Sequence, residues 1–416
     1  MKTTVVINDD SGRDGYRSRM ILLFVVCATF VSTGFSSSLI GAAWPAIETE
    51  FSLSVTYGGY VSSARMVGVV FASYLLGKML SRFGIAKVAI FSTIVMTLAW
   101  IGFAIAPSYG WILFSAFPLG FGTGAVDSGF NNLVAVHYKP KHLSWLHSGF
   151  GIGAIVAPLM MSGLIKQPGG WRKIYLIIAA LQFFMVLVLL STIKLWRHVE
   201  EQRAEASSSP VCKLHALNAN LHPIKMKGML CSTASVFLYM SIEVISSMWF
   251  STFLIQTRGM DEAIASRAVA IFFIGLTLAR LLNGFVNTRA EAKYIIRFGV
   301  GCIIIGAGCL LFVSGTIASL AMVFLTGFGC GPIFATFLSL SPLRFGSTGK
   351  VNPIGFQMSI SFIGSGVSAP FVGWLFKRIG YNVMPVTLMI MALLMLLANE
   401  RTTSILAPHM TSSSFT

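Results

Sequence analysis

Long runs of apolar residues alternate with short polar stretches along the whole chain. Each run has about 20 residues, the length that an α-helix needs to cross the hydrocarbon core of a bilayer. The pattern therefore predicts an all-α membrane protein with twelve transmembrane helices. The predicted spans are 20–43, 56–77, 86–107, 111–136, 143–165, 172–195, 229–256, 264–286, 294–314, 316–340, 352–376 and 380–398.

The polar segments that remain divide the chain into five regions. The segment 197–227 is the only long hydrophilic stretch between the termini, and its Ser-Ser-Ser-Pro run is typical of a solvated linker. The first apolar run follows a polar leader and lacks a small-residue cleavage site, which indicates a retained helix. The predicted regions are a cytoplasmic leader at 1–19, a six-helix bundle at 20–196, the cytoplasmic linker at 197–227, a second six-helix bundle at 228–399 and a cytoplasmic tail at 400–416.

Two motifs of the first half return in the equivalent spans of the second half. The sequence GFGTG at 120–124 in the fourth span returns as GFGCG at 327–331 in the tenth, an offset of 207 residues. Ala-Pro at 157–158 in the fifth span returns at 369–370 in the eleventh. These offsets are close to half the chain, so they predict two pseudo-symmetric six-helix bundles. Paired bundles of this kind rock around a midplane site in transporters.

Composition excludes the soluble classes. Hydrophobic residues make up 55% of the chain and charged residues 11%, whereas soluble domains carry about 25% charged residues. The predicted topology places 21 of the 30 Lys and Arg residues on the side of both termini and seven on the other. Because cytoplasmic loops are rich in these residues, we expect cytoplasmic termini in the cell's inner (plasma) membrane. The positive excess is then a topology signal and not a nucleic-acid-binding surface.

Enzyme and ATP-driven pump motifs are absent from the sequence. The chain lacks a Gly-x-x-x-x-Gly-Lys-Ser/Thr phosphate loop, a Gly-x-Ser-x-Gly elbow and a His/Cys cluster with metal-ligand spacing. The loops are also too short for a catalytic domain. The sequence therefore predicts no catalytic residue, no metal and no cofactor, with a proton gradient as the driving force.

Few ionisable residues lie deep in the predicted spans. They are Arg65, Asp127, Glu243 and Arg280, with His147 near the start of the fifth span. A charge at the bilayer centre costs about 2.5–3.5 kcal/mol even on a mild scale, so such residues face a wet cavity or form pairs. They are the strongest indication of function in the sequence.

Asp127 and Arg65 are the candidates for proton coupling. A rise of about 1.5 Å per residue places Asp127 about 15 Å from the inner end of its span and Arg65 about 14 Å from the outer end of its own. Both therefore lie near the midplane, where pairing across the second and fourth helices is possible. We predict that Asp127 carries the proton and that Arg65 is its charge partner. A static ion pair that fixes helix packing is the alternative.

Polar side chains in several spans predict a solute-binding site. Asn131 lies one helical turn from Asp127 and on the same face. Amide, imidazole and carboxylate groups exchange hydrogen bonds with hydroxyls, and an indole ring stacks on a sugar face. Arg280 is nearer the cytoplasmic end, where we expect it to snorkel and cap carbonyl groups. The predicted substrate-binding residues are Asn131, Asn132, His147, Glu243, Trp249 and Gln357.

Several of these stretches resemble the major facilitator superfamily. The sequence GKMLSRFG at 77–84 is similar to the superfamily's loop between its second and third helices, with Ser81 in place of the usual acid. The stretches DSGFN at 127–131 and LHSGFGIGA at 146–154 resemble the fucose–proton symporter branch, as do Glu243 and Trp249 in the seventh helix. That branch has an acid in the first helix, where this chain offers only serines at 36–38. The resemblance implies a transporter that works as a monomer.

The residues and the resemblance together predict a secondary active transporter. Its expected partners are a small-molecule substrate, protons and the lipid bilayer, without nucleic acid. The expected substrate is a small polar solute, a sugar or a related hydroxylated metabolite, moved with protons by alternating access. Two alternatives stay open: proton-driven export of amphipathic compounds, which the 20 Met and 33 Phe residues would suit, and a non-transporting membrane sensor on the same fold.

Overall fold

The computed structural model describes residues 13–138, 140–196, 224, 226–286, 290–345 and 353–412. Eleven long α-helices run through these ranges. We number the membrane-crossing segments α1 to α12 in chain order. They are α1 (Arg13–Glu50), α2 and α3 (two arms of Thr56–Ala104), α4 (Tyr109–His137), α5 (Pro140–Leu164), α6 (Gly170–Ser191), α7 (Met229–Arg258), α8 (Glu262–Val286), α9 (Ala292–Cys309), α10 (Thr316–Phe345), α11 (Pro353–Ile379) and α12 (Val383–Ser412).

The helix Thr56–Ala104 crosses the membrane twice. Its 49 residues would form a rod about 73 Å long, far more than one crossing needs. Gly84 interrupts it with φ 79° and ψ 167°, a conformation that glycine adopts without a steric penalty. The break separates α2 (56–83) from α3 (85–104), which gives twelve segments in the described ranges. The predicted all-α fold with twelve transmembrane helices is confirmed.

Most helix ends lie within about five residues of the predicted ones, and the larger differences are at the ends of α1 and α2 and at the two chain ends. The first helix already begins at Arg13, inside the predicted leader. The last helix continues to Ser412, well into the predicted tail. Ten of the described helices are long and apolar enough to cross a membrane. Most of the predicted linker lies outside the described residues.

The packing of the two halves repeats with the offset found in the sequence. Gly120 on α4 lies against the backbone of Arg65 on α2, and Gly327 on α10 lies against the backbone of Phe272 on α8. Each member of the second pair follows its counterpart by 207 positions. A side chain at either glycine would overlap the facing backbone, which explains why the glycine-rich motif occurs twice. The helices α1–α6 and α7–α12 form the two pseudo-symmetric bundles.

The two halves meet closely on one side of the membrane. We call the side where α6 ends and α7 begins the linker side, and the opposite side the far side. Gly41 on α1 contacts Ser247 and Met248 on α7, beyond the middle of both helices toward the far side. Met248 follows Gly41 by 207 positions, so this contact lies on the pseudo-twofold axis.

Polar contacts reinforce the closure of the far side. Ser266 Oγ on α8 donates a hydrogen bond to the carbonyl oxygen of Pro158 on α5, at 3.2 Å. Beyond the helix ends, Lys166 Nζ lies 2.6 Å from Asp261 Oδ2. The lysine holds the pKa of the exposed Asp261 carboxyl below its usual range, so the ion pair persists into mildly acidic pH and is lost only as the pH falls through that lowered pKa. In the ranges described, the hydrogen bonds and the ion pair between halves lie on this side.

Candidate functional site

A cluster of charged and aromatic side chains lies in the middle of the C-terminal half. Glu243 follows the start of α7 by 14 residues and precedes its end by 15, so it is about 21 Å from either end. Arg280 Nη2 on α8 lies 3.2 Å from Glu243 Oε2. The Tyr239 hydroxyl donates to the same carboxylate oxygen at 2.6 Å. Tyr239 and Glu243 are four residues apart, which places both on one face of α7.

An aromatic ring from α10 completes this cluster. The ring of Phe334 stacks on Tyr239 with 5.6 Å between centroids, and the Arg280 guanidinium carbon lies 5.6 Å from the centre of the Phe334 ring. The side chains of Arg280 and Glu243 are only 17% and 13% exposed. Arg280 therefore forms a buried ion pair, and the expectation that it snorkels is wrong. The reason is the countercharge on the neighbouring helix, which the position of Arg280 along α8 does not reveal.

The acid of the N-terminal half has an amide as its partner. Asn131 Nδ2 donates to Asp127 Oδ1 at 3.3 Å, as the four-residue spacing on α4 predicts. Next to it, the hydroxyls of Ser128 and Ser73 on α2 are hydrogen-bonded at 3.2 Å. Within the described part of the chain, no Lys, Arg or His nitrogen lies within 4 Å of the Asp127 carboxylate.

Arg65 and Asp127 lie at different heights in the membrane. Gly120 packs against the backbone of Arg65, and Asp127 follows Gly120 by seven residues, about 10 Å along α4. The expected pairing across the two helices is therefore not made in this conformation. The predicted depths of Asp127 and Arg65 were counted from opposite ends of their helices, and such counts do not give the height of one residue relative to the other. The role of these residues in proton coupling stays a prediction.

Arg65 borders a small pocket between the halves. Its side chain is 6% exposed, and among the described residues its guanidinium has no hydrogen bond or ion pair. The hydroxyl of Ser62, one turn away on α2, is also without a partner in this part of the chain. An uncompensated buried charge costs several kcal/mol, so this arginine needs an explanation. The pocket is lined by Ser36, Ser37, Ile40, Gly41, Ser62, Arg65, Val244, Ser247 and Met248.

His147 on α5 lies opposite the charged cluster. Its ring meets Phe30 on α1 edge to face, with 5.9 Å between ring centroids. The side chain is partly exposed and lies within electrostatic range of Arg280 in the other half. One turn further along α5, Gly151 packs against Thr277 on α8. His147 therefore stands on the linker side of the closed contacts, between the two halves.

The neighbouring amides Asn131 and Asn132 point in different directions. Asn131 is partly buried beside Asp127, whereas Asn132 is exposed. Asn132 follows Phe114 by 18 residues, which is five full turns on the same helix face, and the Phe114 ring is 73% exposed on the outer surface. Asn131 thus belongs to the candidate site, and Asn132 lies on the outer face of α4.

Trp249 and Gln357, both predicted to bind the substrate, pack inside the C-terminal half. The buried Trp249 indole donates from Nε1 to the carbonyl oxygen of Ala369 on α11, at 3.0 Å. Gln357 is 1% exposed, and its Nε2 donates to Ser232 Oγ on α7, at 2.9 Å. Both side chains tie α11 to α7, so substrate contact by either one does not fit this conformation. Helical spacing alone could not separate the two faces, because α7 and α11 mix serines with apolar residues on most faces and have no single polar stripe.

The offset of 207 residues also relates the two halves of the site. In the N-terminal half, Thr123 Oγ1 donates to Ser36 Oγ at 3.1 Å. Its counterpart Cys330 lies within electrostatic range of Glu243, the counterpart of Ser36. The same offset pairs Ser73 with Arg280 and Asp127 with Phe334. The charges are therefore arranged asymmetrically.

Two residues of the site, Ser62 and Tyr239, were not predicted from the sequence. Their spacings of three and four residues from Arg65 and Glu243 were nevertheless visible there.

Comparison with known proteins identifies relatives over most of the chain. The family described as Major Facilitator Superfamily matches residues 25–353. Bypass of stop codon protein 6 of Saccharomyces cerevisiae is 23% identical and covers 88% of this chain and 79% of its own. In Bacillus subtilis, the glucose/mannose transporter GlcP is 24% identical over 73% of this chain and 76% of its own. The hexuronate transporter of the same organism is 24% identical over 66% and 67%.

Solved structures with the same architecture are also found. The partially occluded inward open conformation of the xylose transporter XylE from E. coli superposes with a TM-score of 0.73 at 12% identity, covering 91% of this chain and 97% of its own. A bacterial homolog of the human lysosomal transporter Spinster, in an inward-facing and occupied conformation, superposes with a TM-score of 0.68 at 13% identity over 96% and 97%. At these identities the likeness establishes the fold.

Proposed function

The chain belongs to the Major Facilitator Superfamily and is a multi-pass secondary transporter of a small molecule, and from this premise we propose that it moves a hydroxylated polar solute, a sugar or a related metabolite, together with a proton. The family is non-enzymatic, in agreement with the absence of enzyme motifs. One observation carries the proposal: in the described part of the chain, one half has an acid without a cation and the other has an ion-paired cluster with a tyrosine, both at mid-membrane depth.

Closure on the far side supports alternating access. The contacts between halves run from Gly151 outward to the Lys166–Asp261 ion pair, so the solute route in this conformation leads to the linker side. The excess of Lys and Arg on that side favours its assignment to the cytoplasm. The conformation is then inward-facing, with both termini cytoplasmic in the inner (plasma) membrane.

Asp127 is the proposed proton carrier. Its carboxylate has an amide partner and no cation within 4 Å among the described residues, whereas Glu243 is held by Arg280. A lone carboxylate in the membrane is costly, and protonation removes that charge before the halves rearrange. Arg65 lies on the neighbouring α2 without touching Asp127, and it is proposed to act on this carboxyl through its positive charge alone.

The proposed solute site lies between Asp127 and the Glu243 cluster. Asn131, His147, Tyr239 and Glu243 supply an amide, an imidazole, a phenol and a carboxylate, which together donate to and accept from sugar hydroxyls. The names of two relatives, a glucose/mannose and a hexuronate transporter, support this solute class. We propose, together with this solute class, a likeness to the fucose–proton symporter branch, which rests on the stretches 127–131 and 146–154.

Uptake into liposomes that contain the purified protein tests this function. Labelled neutral sugars and sugar acids are offered with the outside acidic, and again without a pH gradient. We expect at least one solute to accumulate above its external concentration with the gradient and only to equilibrate without it. Accumulation that ignores the gradient contradicts proton coupling. Gradient-driven efflux of amphipathic dyes supports the exporter, and binding without flux supports the sensor.

The substitution Gly41→Val tests whether the far side must close and open. A side chain at this position would overlap the carbonyl oxygen of Ser247, so we expect the variant to populate the open far side. The Lys166–Asp261 ion pair provides the readout, because a carbodiimide joins a contacting ammonium and carboxylate as an amide. Mass spectrometry of the linked peptides should show a severalfold lower yield in Gly41→Val than in the wild type.

Gly301→Val is the matched control for this measurement. Gly301 also lies within a helix, and a side chain there meets open space. Its cross-link yield should equal that of the wild type. An undiminished yield in Gly41→Val would show that the α1–α7 contact does not govern far-side closure.

A further inference from the structure

The pocket beside Arg65 holds two polar groups that no other residue in the described ranges satisfies. Arg65 and Ser62 lie three residues apart on α2, so both side chains project from one face of the helix. Both are buried and border the same pocket. Neither the guanidinium nor the Ser62 hydroxyl has a partner among the described residues. The pocket therefore presents a positive charge and a free hydroxyl to whatever enters it.

Comparison with Arg280 shows what Arg65 lacks. Arg280 is somewhat less buried than Arg65, and the protein supplies it with the Glu243 carboxylate 3.2 Å away. Arg65 has no such acid among the residues that the structure describes, although it is the more deeply buried of the two. A guanidinium presents parallel N–H donors that match the two oxygens of a carboxylate. The position of Arg65 thus suits an anion that comes from outside the chain.

We propose that Arg65 and Ser62 bind the carboxylate of the transported solute, which is a hydroxylated carboxylic acid such as a sugar acid. This inference rests on the transport function proposed above and narrows its substrate class. A single cation favours a carboxylate with one charge over a phosphate ester with up to two. Hydroxyls of the solute would extend toward Tyr239 and His147.

Both halves of the protein contribute to this pocket. Ser36, Ser37 and Ser62 belong to the N-terminal half, and Val244, Ser247 and Met248 on α7 belong to the C-terminal half. Of these α7 residues, Ser247 and Met248 also contact Gly41 in the far-side closure. A carboxylate bound at Arg65 therefore touches the surface where the halves separate, which places the charged end of the solute at the point of conformational change.

Binding to matched pairs of solutes tests the proposal. The probes are glucuronate with glucose, galacturonate with galactose, and gluconate with sorbitol, each titrated while thermal unfolding is followed by tryptophan fluorescence. We expect at least one acid to raise the unfolding temperature more than its neutral partner does at equal concentration. Equal or weaker stabilisation by every acid would overturn the proposal.

Variants then assign that binding to Arg65 and Ser62. Loss of a charge-assisted hydrogen-bond pair should weaken binding of the acid about 10–100-fold in Arg65→Gln, with Arg65→Lys in between. Ser62→Ala should weaken it about 3–10-fold. Arg378→Gln, which removes an exposed arginine at the end of α11, is the control and should bind like the wild type. Unchanged acid binding in Arg65→Gln contradicts the proposal.

The stability of the protein without any solute tests independently whether the partner of Arg65 comes from outside the chain. If the partner of Arg65 is external, Arg65→Met should unfold at the same temperature as the wild type or higher, because it removes an uncompensated charge. A lower unfolding temperature, or failure to fold, would show that an internal partner holds Arg65 and would overturn the proposal.

The net charge that moves with each solute distinguishes a failure of this inference from a failure of the general transport function. One carboxylate carried with one proton moves no net charge, so uptake of the acid should follow the pH gradient and ignore a potential set with potassium and valinomycin. Uptake of a neutral sugar, accelerated by that potential, together with no binding of acids, would leave the transport function standing and refute the carboxylate site. Arg65-dependent binding of an acid without any uptake would support the carboxylate site and contradict the transport function.

Discussion

Replacement of Asp127 by Asn is expected to abolish accumulation driven by a pH gradient while solute exchange continues. With one proton per solute, a gradient of one pH unit is worth about 1.4 kcal/mol and supports about tenfold accumulation. Asn keeps the size and the hydrogen bond to Asn131 but does not exchange a proton. The accumulation ratio in liposomes should therefore fall from about ten to one. Counterflow, which needs no net driving force, should persist near the wild-type rate.

Glu262→Gln is the control for the loss of an acidic group. Glu262 opens α8 at the far-side surface, away from the mid-membrane site, and its replacement should leave the accumulation ratio intact. Wild-type accumulation in Asp127→Asn would remove Asp127 as the proton carrier. Loss of counterflow together with accumulation would instead place Asp127 in solute binding.

The sequence was sufficient to predict the helices because the bilayer sets their length. A continuous apolar run of about 20 residues has essentially one stable form in lipid, since every backbone group must be satisfied within the segment. The repeat of the GFGTG motif also predicted the two halves, because its glycines allow close contact with the backbones of Arg65 and Phe272. Both features are visible in the sequence without any knowledge of how the helices are arranged.

The partners of buried polar groups could not be predicted in the same way. Glu243 and Arg280 lie on different helices, and the rotation of each helix about its axis decides whether they meet. In a soluble helix the apolar stripe reveals that rotation, but α7 and α8 carry apolar residues on most faces. The same ambiguity let Trp249 and Gln357 count as solute ligands, although they pack between α7 and α11.

The two halves of the protein carry different charges at equivalent positions. The offset of 207 residues places Asp127 opposite Phe334 and Ser36 opposite Glu243, so each half has an acid where the other has a neutral residue. In this conformation Glu243 of the C-terminal half is neutralised by Arg280, whereas Asp127 of the N-terminal half has no cation among the described residues. Such a division suits a transporter that exchanges charge in one half while the other keeps a fixed structure.

Breaking the Glu243–Arg280 pair is expected to have the largest effect on stability, and the two single substitutions should differ. Removing one partner of a buried ion pair typically costs about 3–5 kcal/mol. Glu243→Gln should be the worse of the two, because the remaining guanidinium cannot lose its proton. Arg280→Gln leaves a carboxyl that keeps the Tyr239 hydrogen bond and can take up a proton. The double variant, with no unpaired charge, should recover most of the loss.

Thermal unfolding of the four proteins in lipid or detergent measures this double-mutant cycle. The control is the exposed pair Arg297–Glu400 at 2.9 Å, whose side chains are 51% and 37% exposed. Each substitution to Gln there should change stability by less than about 1 kcal/mol. If the double variant at Glu243 and Arg280 lost as much stability as the sum of its singles, the two side chains would act independently. Their role as a fixed, mutually neutralising pair would then be wrong.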